Sequence, residues 1–358
     1  MSSHGASLYG TSQTKAPEAR QEETKKIETY HGLERLVRTK IREQELTPET
    51  LQKTSELLSW NPEYYTIWNY RRLVLRHQFS TVASNGPDDQ AADQIASMIK
   101  SELQFLFPLL RKFPKCYWIW NHRRWILEEA RLLLPTPVAR QFWQEELALV
   151  GKMLSMDNRN FHGWGYRRAV IEVLEDFPPD KKSMVQEEFD YTTKMIKTNL
   201  SNFSAWHNRT KLIQRLLDEK SATDEERKKM LDDELALIHR AFFDPYDQSL
   251  WFYHQNLMCT FNPVLAPQTM APNLTNAERL DYIQKEIGKI QDMLDGDDDC
   301  KWIYQSLIGC TLLAAKIQGE VSPEAKASVS GWLNRLKELD PLRKGRWLDL
   351  ESSLNSNS

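Results

Sequence analysis

The sequence predicts an all-α protein, an α–α superhelix laid out as a crescent-shaped solenoid of about six to seven antiparallel helix pairs. Three observations predict it. Glycine is scarce, at 13 of 358 residues, while Leu, Glu, Lys, Arg and Gln fill long runs with no pronounced Val/Ile alternation, a composition that favours helix. Tryptophan recurs at Trp68, Trp120, Trp164, Trp206, Trp251 and Trp302, at intervals of 52, 44, 42, 45 and 51 residues. The wording around it recurs too, as "NPEYYTIWNYRR", "FPKCYWIWNHRR", "DNRNFHGWGYRR", "NLSNFSAWHNRT" and "DPYDQSLWFYHQ", with "DDDCKWIYQS" a degenerate sixth copy and "DPLRKGRWLDL" a further echo. A self-similar period of this length reads as a two-helix unit that buries its apolar face only by stacking on its neighbours. The period exceeds the roughly 34 residues of tetratricopeptide units.

The elements follow in order. Residues 1–21, rich in Ser, Gly, Thr and Gln, read as a mobile arm, and Glu22 to Glu45 as a charged helix. Residues 22–350 form a single helical-repeat domain, and 351–358 fray. In the first helices of units two and five, Leu103, Leu106, Leu110 and Phe113, and Leu231, Leu235, Ile238 and Phe242, step by three and four, as one helix face requires. A short turn follows, whose Asn61, Asp157, Asn199 and Asp244 are expected to cap the second helix, with Pro62 and Pro245 at its start. In that second helix, Leu75, Leu127, Ile171, Ile213 and Met258 stand seven residues after the tryptophan and share its stripe. The aromatics three residues before it (Tyr65, Tyr117, Phe161, Phe203) are expected to wedge between helices. "FNPVLAPQTMAPNLTNAER" is a loop, and "DGDDD" a solvated acidic turn.

Composition excludes several classes. Hydrophobic residues at 41%, charged residues at 27% and a formal charge of -3 describe a soluble globular chain with no basic field for nucleic acid. No apolar run approaches the ~20 residues that span a bilayer, and "MSSHGASLYG" lacks the apolar centre of a signal peptide. The four cysteines form no CxxC pair, which fits free thiols in a reducing cytoplasm. The histidines make no metal-ligating set with the cysteines, so no metal site is expected in this chain. No glycine-rich phosphate loop or Ser-His-Asp arrangement appears.

The chemistry concentrates at the turns. Five residues before the central tryptophan the units carry Glu63, Lys115, Arg159, Ser201 and Tyr246, so only units two and three place a cation there. Packed helices lie ~10 Å apart, which makes equivalent positions of adjacent units neighbours, each at a helix start whose N–H groups favour anions. Lys115 and Arg159 could therefore share a diphosphate. The arginines of the W-x-x-R pattern (Arg71, Arg123, Arg167, Arg209), each followed by a second basic residue in units one to three, recur too regularly for one active site. They read as architecture and partner interface.

With "WNYRR", "WNHRR" and "WGYRR", the chain resembles the α subunits of protein prenyltransferases from about Tyr30 to Leu350. "DNRNFHGWGYRR", "NLSNFSAWHNR" and "AFFDPYDQSLWFYH" are most similar to the type II, Rab geranylgeranyltransferase branch, in a compact form without leucine-rich or immunoglobulin-like domains. Arg159-Asn160-Phe161 stands where the farnesyl/geranylgeranyl type I α subunit usually has Lys-Asn-Tyr, which favours type II. The resemblance implies a heterodimer whose β subunit supplies the lipid pocket and a catalytic zinc. It implies transfer of geranylgeranyl from its diphosphate to C-terminal cysteines of Rab GTPases presented by an escort protein, and inactivity of this chain alone. It also implies that the positions of Lys115 and Arg159 reach the active site, with Asn160 and Phe161 as substrate-facing support. His4, in the arm, is a lone histidine that could reach the partner's zinc. Two other readings stay open: the α subunit of farnesyltransferase or geranylgeranyltransferase type I, and a non-enzymatic helical-repeat scaffold, for which cations at successive turns have no purpose.

Overall fold

The computed structural model describes residues 17–85, 88–179 and 181–356, and every regular element among them is helical. The chain divides into two compact units, Met1–Lys181 and Lys182–Ser358. The first holds α1 (Pro17–Arg42) and three antiparallel pairs: α2 (Pro48–Trp60) with α3 (Tyr65–Asn85), α4 (Asp88–Lys112) with α5 (Tyr117–Leu133), and α6 (Thr136–Met156) with α7 (Phe161–Glu175). The second holds four: α8 (Val185–Thr198) with α9 (Phe203–Glu219), α10 (Asp224–Ala241) with α11 (Gln248–Met258), α12 (Asn276–Asp292) with α13 (Lys301–Gln318), and α14 (Pro323–Leu339) with α15 (Lys344–Ser356). Among the described residues no helix is long and apolar enough to cross a membrane. α1 begins at Pro17, inside the stretch expected as an arm, because proline suits a first helical position and Glu18, Ala19, Arg20 and Gln21 are good helix formers. Residues 1–16, His4 included, lie outside the described residues.

One hydrogen bond sets the register of each pair. The indole Nε1 of Trp68, Trp120, Trp164, Trp206 and Trp251 donates to the carbonyl six residues earlier, on Pro62 (2.8 Å), Pro114 (2.9 Å), Asn158 (2.9 Å), Leu200 (2.7 Å) and Pro245 (2.6 Å). A buried N–H and a turn carbonyl each need a partner, and a single bond serves both. The second helix then starts three residues before the tryptophan in all five pairs. The same rule corrects the sixth copy. There Tyr304 Oη donates to Asp298 O at 2.7 Å, and α13 starts at Lys301, so Tyr304 is the reference residue, and Trp302 sits two positions off it and half-buried. "DPLRKGRWLDL" is a full seventh unit, with α15 starting three residues before Trp347. Trp347, Leu350 and Leu354 lie on one face of α15 and pack with Ile308, Leu333 and Leu336, which keeps residues 351–356 helical where fraying was expected.

The turn residues act differently from expectation. Asn61, Asp157 and Asn199 end the first helix of their pairs, and the side chains of Asn61, Asn199 and Asp244 accept the N–H two residues on. Where the second helix is capped by a side chain, the cap comes from Asn160, Asn202 or Asp247. An Asx side chain reaches only two or three residues ahead, and the four-residue spacing from turn to helix puts Asp157 and its equivalents out of range.

The W-x-x-R arginines are buried, which removes Arg71, Arg123, Arg167 and Arg209 from any partner-facing role. Arg71 of α3 grips Glu102 of α4 with two bonds (Nε to Oε1 2.7 Å, Nη2 to Oε2 2.6 Å), while its Nη1 donates to Leu51 O, Thr54 Oγ1 and Ser55 Oγ of α2. Arg123 of α5 repeats this with Glu146 of α6 and Leu103 O of α4, and Arg209 of α9 with Glu234 of α10 and Thr193 of α8. Each guanidinium thus staples its own pair to the next. In the fifth pair His254 takes the arginine's place, and its Nε2 meets Glu286 of α12 at 3.1 Å.

Removing one member of a buried pair leaves the other charged and unpaired, a loss of roughly 3–5 kcal/mol. Arg123→Ala is expected to cost about that much in urea unfolding, and the joint change Arg123→Met with Glu146→Leu to cost less than the single one. Acid should reach the first staple early. Burial works against the Glu102 carboxylate, but Arg71 and the His122 ring outweigh it and hold Glu102 at about 2, below its ordinary 4.5. Burial, helped by Arg71 and Arg72 against Glu102, pushes His122 down to about 4 from 6.5, and Arg72 Nε donating to its Nδ1 suits the neutral ring. Both groups add stability that is complete above their unfolded values. The His122 part is lost as pH falls from 6.5 to 4, and the Glu102 part between 4.5 and 2. The urea midpoint should therefore drop between pH 6.5 and 4.5 in the native chain, and His122→Gln should flatten that drop.

Candidate functional site

The first unit holds a row of turns, each tied to the next by one side chain. Cys116 Sγ donates to Pro62 O at 3.5 Å, and Asn160 Nδ2 donates to Pro114 O at 3.1 Å, the same carbonyl that accepts the Trp120 indole. Lys115 follows Pro114 and Arg159 precedes Asn160, so each cation is one residue from the bond that joins their turns. The helix pairing expected from sequence thus acquires a specific strut. Both cations are exposed, and no carboxylate among the described residues pairs with either. In the second unit the same position is engaged: Ser201 Oγ donates to Asp247 Oδ2 at 2.6 Å, and Tyr246 Oη to Asp299. The first turn of α5 has no side-chain cap, and that of α7 is capped by Asn160 Oδ1 accepting from Gly163 N at 3.0 Å. Two exposed cations thus stand beside adjacent helix N-termini, where backbone N–H groups favour anions. Cys116 is no nucleophile there: it is buried, and burial pushes its thiol up to about 11.

Asn160, expected as substrate-facing, is instead buried, with both ends of its amide bound within the chain, and it acts on the site only by holding the turns. The aromatic wedge is also corrected. Tyr65 is 52% exposed, Tyr117 52%, Phe161 78% and Phe203 41%. Each is the first residue of its helix, where the side chain projects past the pair, while the indole three residues on turns inward to its carbonyl. Tyr65 stacks on Trp118 of the next helix pair at 5.4 Å, and Tyr117 lies 6.2 Å from His162. Tyr117, Phe161 and His162 thus lie within three residues of Lys115 or Arg159 along the chain. Phe161 is named from sequence as substrate-facing, whereas Tyr117, which follows Lys115 by two residues as Phe161 follows Arg159, and His162 are not. Cations edged by aromatic rings suit a ligand with an anionic head and an apolar body. Among the described residues no group of three His, Cys, Asp or Glu could hold a metal ion.

The repeat described as "Protein prenyltransferase alpha subunit repeat" matches residues 48–78, 99–130, 143–174 and 185–216. The geranylgeranyl transferase type-2 subunit alpha of Schizosaccharomyces pombe is 36% identical over 347 residues, covering 94% of this chain and 94% of the relative. The chain belongs to the geranylgeranyl transferase type-2 alpha subunits. The family member of Dictyostelium discoideum is 32% identical, across 98% of this chain and all of its own length. The human member is 36% identical over 263 residues, which cover 73% of this chain and 42% of the human protein. A chain of Candida albicans protein geranylgeranyltransferase-I complexed with GGPP superposes with a TM-score of 0.63 over 91% of each chain at 21% identity, and so shares the fold. As a family member, this chain is one subunit of a transferase, and an alpha subunit implies a beta partner.

The exposure of Phe161 and the burial of Asn160 separate two roles. Phe161→Ser should leave the unfolding free energy within about 0.5 kcal/mol of native. Asn160→Ala, losing a cap and a strut, should cost roughly 1–2 kcal/mol. Chemical denaturation followed by circular dichroism reads both.

Proposed function

We propose that the chain, paired with its beta subunit, transfers geranylgeranyl from its diphosphate to C-terminal cysteines of Rab GTPases presented by an escort protein, and that Lys115 and Arg159 hold the departing diphosphate. The partner supplies the lipid pocket and a zinc that lowers the thiol's pKa. In the transfer the thiolate sulfur bonds to C1 of the isoprenoid, the C1–O bond breaks, and the diphosphate leaves with the electron pair. Negative charge therefore grows on the diphosphate as the barrier is climbed, and cations at its oxygens stabilise the transition state more than the ground state. The rings of Tyr117, Phe161 and His162 offer the isoprenoid an apolar flank. One observation carries this reading: two exposed cations without a carboxylate partner stand on turns that a single Asn160–Pro114 bond holds together.

The test is single-turnover transfer by the purified heterodimer on an escorted Rab with C20 diphosphate. By analogy with removal of one charge-stabilising donor, Lys115→Ala should slow the chemical step by about 10²–10³, and Arg159→Ala should slow it less, with the heterodimer intact in both. An unchanged rate for Lys115→Ala would remove it from the chemistry. Running a CaaX peptide and C15 diphosphate beside them tests the substrate class: transfer to the peptide in preference to the Rab would replace type II by the farnesyl or type I reading.

A further inference from the structure

Trp347 breaks the rule that the other reference tryptophans obey. It is 3% exposed, yet its Nε1 has no hydrogen-bond partner among the described residues, whereas the five earlier indoles all reach a turn carbonyl. Gln305 Nε2 is likewise buried and unpartnered. Both side chains line a cavity of about 1010 Å³ inside the second unit, between α11, α13 and α15. Phe252, Met258, Trp302 and Leu312 give it an apolar wall, and Arg343 and Arg346 also line it. Arg343 has Asp340 at 3.8 Å, and Arg346 lies 5.2 Å over the Trp347 ring with no carboxylate paired to it among the described residues, although Asp349 also lines the cavity. Gly309, in the middle of α13, lines the cavity as well, and a Cβ placed on it would meet nothing within 4 Å. Glycine inside a helix is destabilising relative to alanine, and nothing in this chain requires it here.

We propose that this cavity is an anchor pocket for the beta subunit, taking a segment that sets a large apolar side chain against the α11/α13 wall and offers a carboxylate or free carbonyls to Arg346, Gln305 Nε2 and Trp347 Nε1. The proposal rests on the heterodimer reading above. The chemistry asked of the occupant is specific: acceptors for two buried donors and a cation, next to apolar bulk, approaching closely enough that α13 has no side chain at 309. A permanent partner fits these demands better than a ligand that comes and goes. Each departure would leave buried donors unpaired and an apolar cavity open to water. Stable interfaces bury such anchors in desolvated pockets rimmed by charge.

The test uses the intact heterodimer. Gly309→Trp fills the cavity, and Arg346→Glu reverses a charge in its lining. Each is expected to raise the heterodimer Kd by about tenfold or more, while Gly309→Ala, which sets a single methyl against the occupant, raises it by less and leaves the fold intact. Unfolding curves of the variants separate lost affinity from lost fold, and if Gly309→Trp does not fold, Arg346→Glu decides. Cys259 provides a probe already in place, since it lines the cavity half-exposed while the other three cysteines are buried. In the heterodimer it should resist maleimide, and a benzophenone side chain at position 305 should cross-link to the beta subunit, next to an acidic residue or chain end. An active heterodimer whose Cys259 labels freely, or whose cross-links reach only this chain, a lipid or an escort protein, overturns the pocket and leaves the proposed function standing. A chain that never pairs with a beta subunit overturns both.

Discussion

A guanidinium three residues past the central indole has five N–H donors and lies where water does not reach. No single helix pair can satisfy it. Arg71 uses the carbonyl and hydroxyls of its own α2 on one side and the Glu102 carboxylate of α4 on the other, and Arg123 and Arg209 do the same in their places. A buried ion pair recovers its desolvation only when geometry and remaining donors are satisfied together, so each rung fixes three helices at once. The acidic half repeats as well: Glu102 and Glu146 precede the tryptophan of their own helix pair by 18 residues. The stacking of pairs is thus specified by charge as well as by apolar area.

Once the rungs fix the stack within a unit, the turns fall into a row, and their side chains divide by duty. Those four residues before the reference aromatic, Cys116, Asn160 and Cys300, point at the structure; the last repeats the first by donating to Pro245 O at 3.2 Å. Those five and three before the five reference tryptophans are exposed and lie outside the core, so they are freer to differ between helix pairs. Lys115, Arg159, Tyr117 and Phe161 occupy these slots. A repeat protein can therefore carry a local site without disturbing its core, since the variable positions and the packed positions are different positions.

Much of this was legible in residue spacing. The indole grid marked five pairs because a buried tryptophan with a fixed hydrogen bond tolerates little drift. Trp302 misled because identity stood in for role: Tyr304 reaches the turn carbonyl six residues back with its hydroxyl, and only the bond reveals the substitution. The exposed aromatics misled for the opposite reason. Tyr117 and Phe161 recur as regularly as core residues, but they recur at a helix start, and side-chain direction there depends on how the preceding turn closes. Asn160 read as part of the site because it adjoins Arg159, whereas its amide is consumed by Gly163 N and Pro114 O.

Sequence by itself determined the helical class, the two-helix period, the aliphatic stripe that backs each tryptophan and the two turns that carry cations, because all of these are consequences of local spacing along one helix or one turn. It also carried enough family wording to indicate a prenyltransferase α subunit. Tertiary structure decided which arginines are buried, which aromatics face solvent, that Lys115 and Arg159 flank a shared strut, and that Trp347 and Gln305 are left with unmet donors around a cavity. Each of these depends on partners 16 to 54 residues away or on the lack of one, and hydrogen-bond satisfaction over such distances is set by packing that no local pattern encodes.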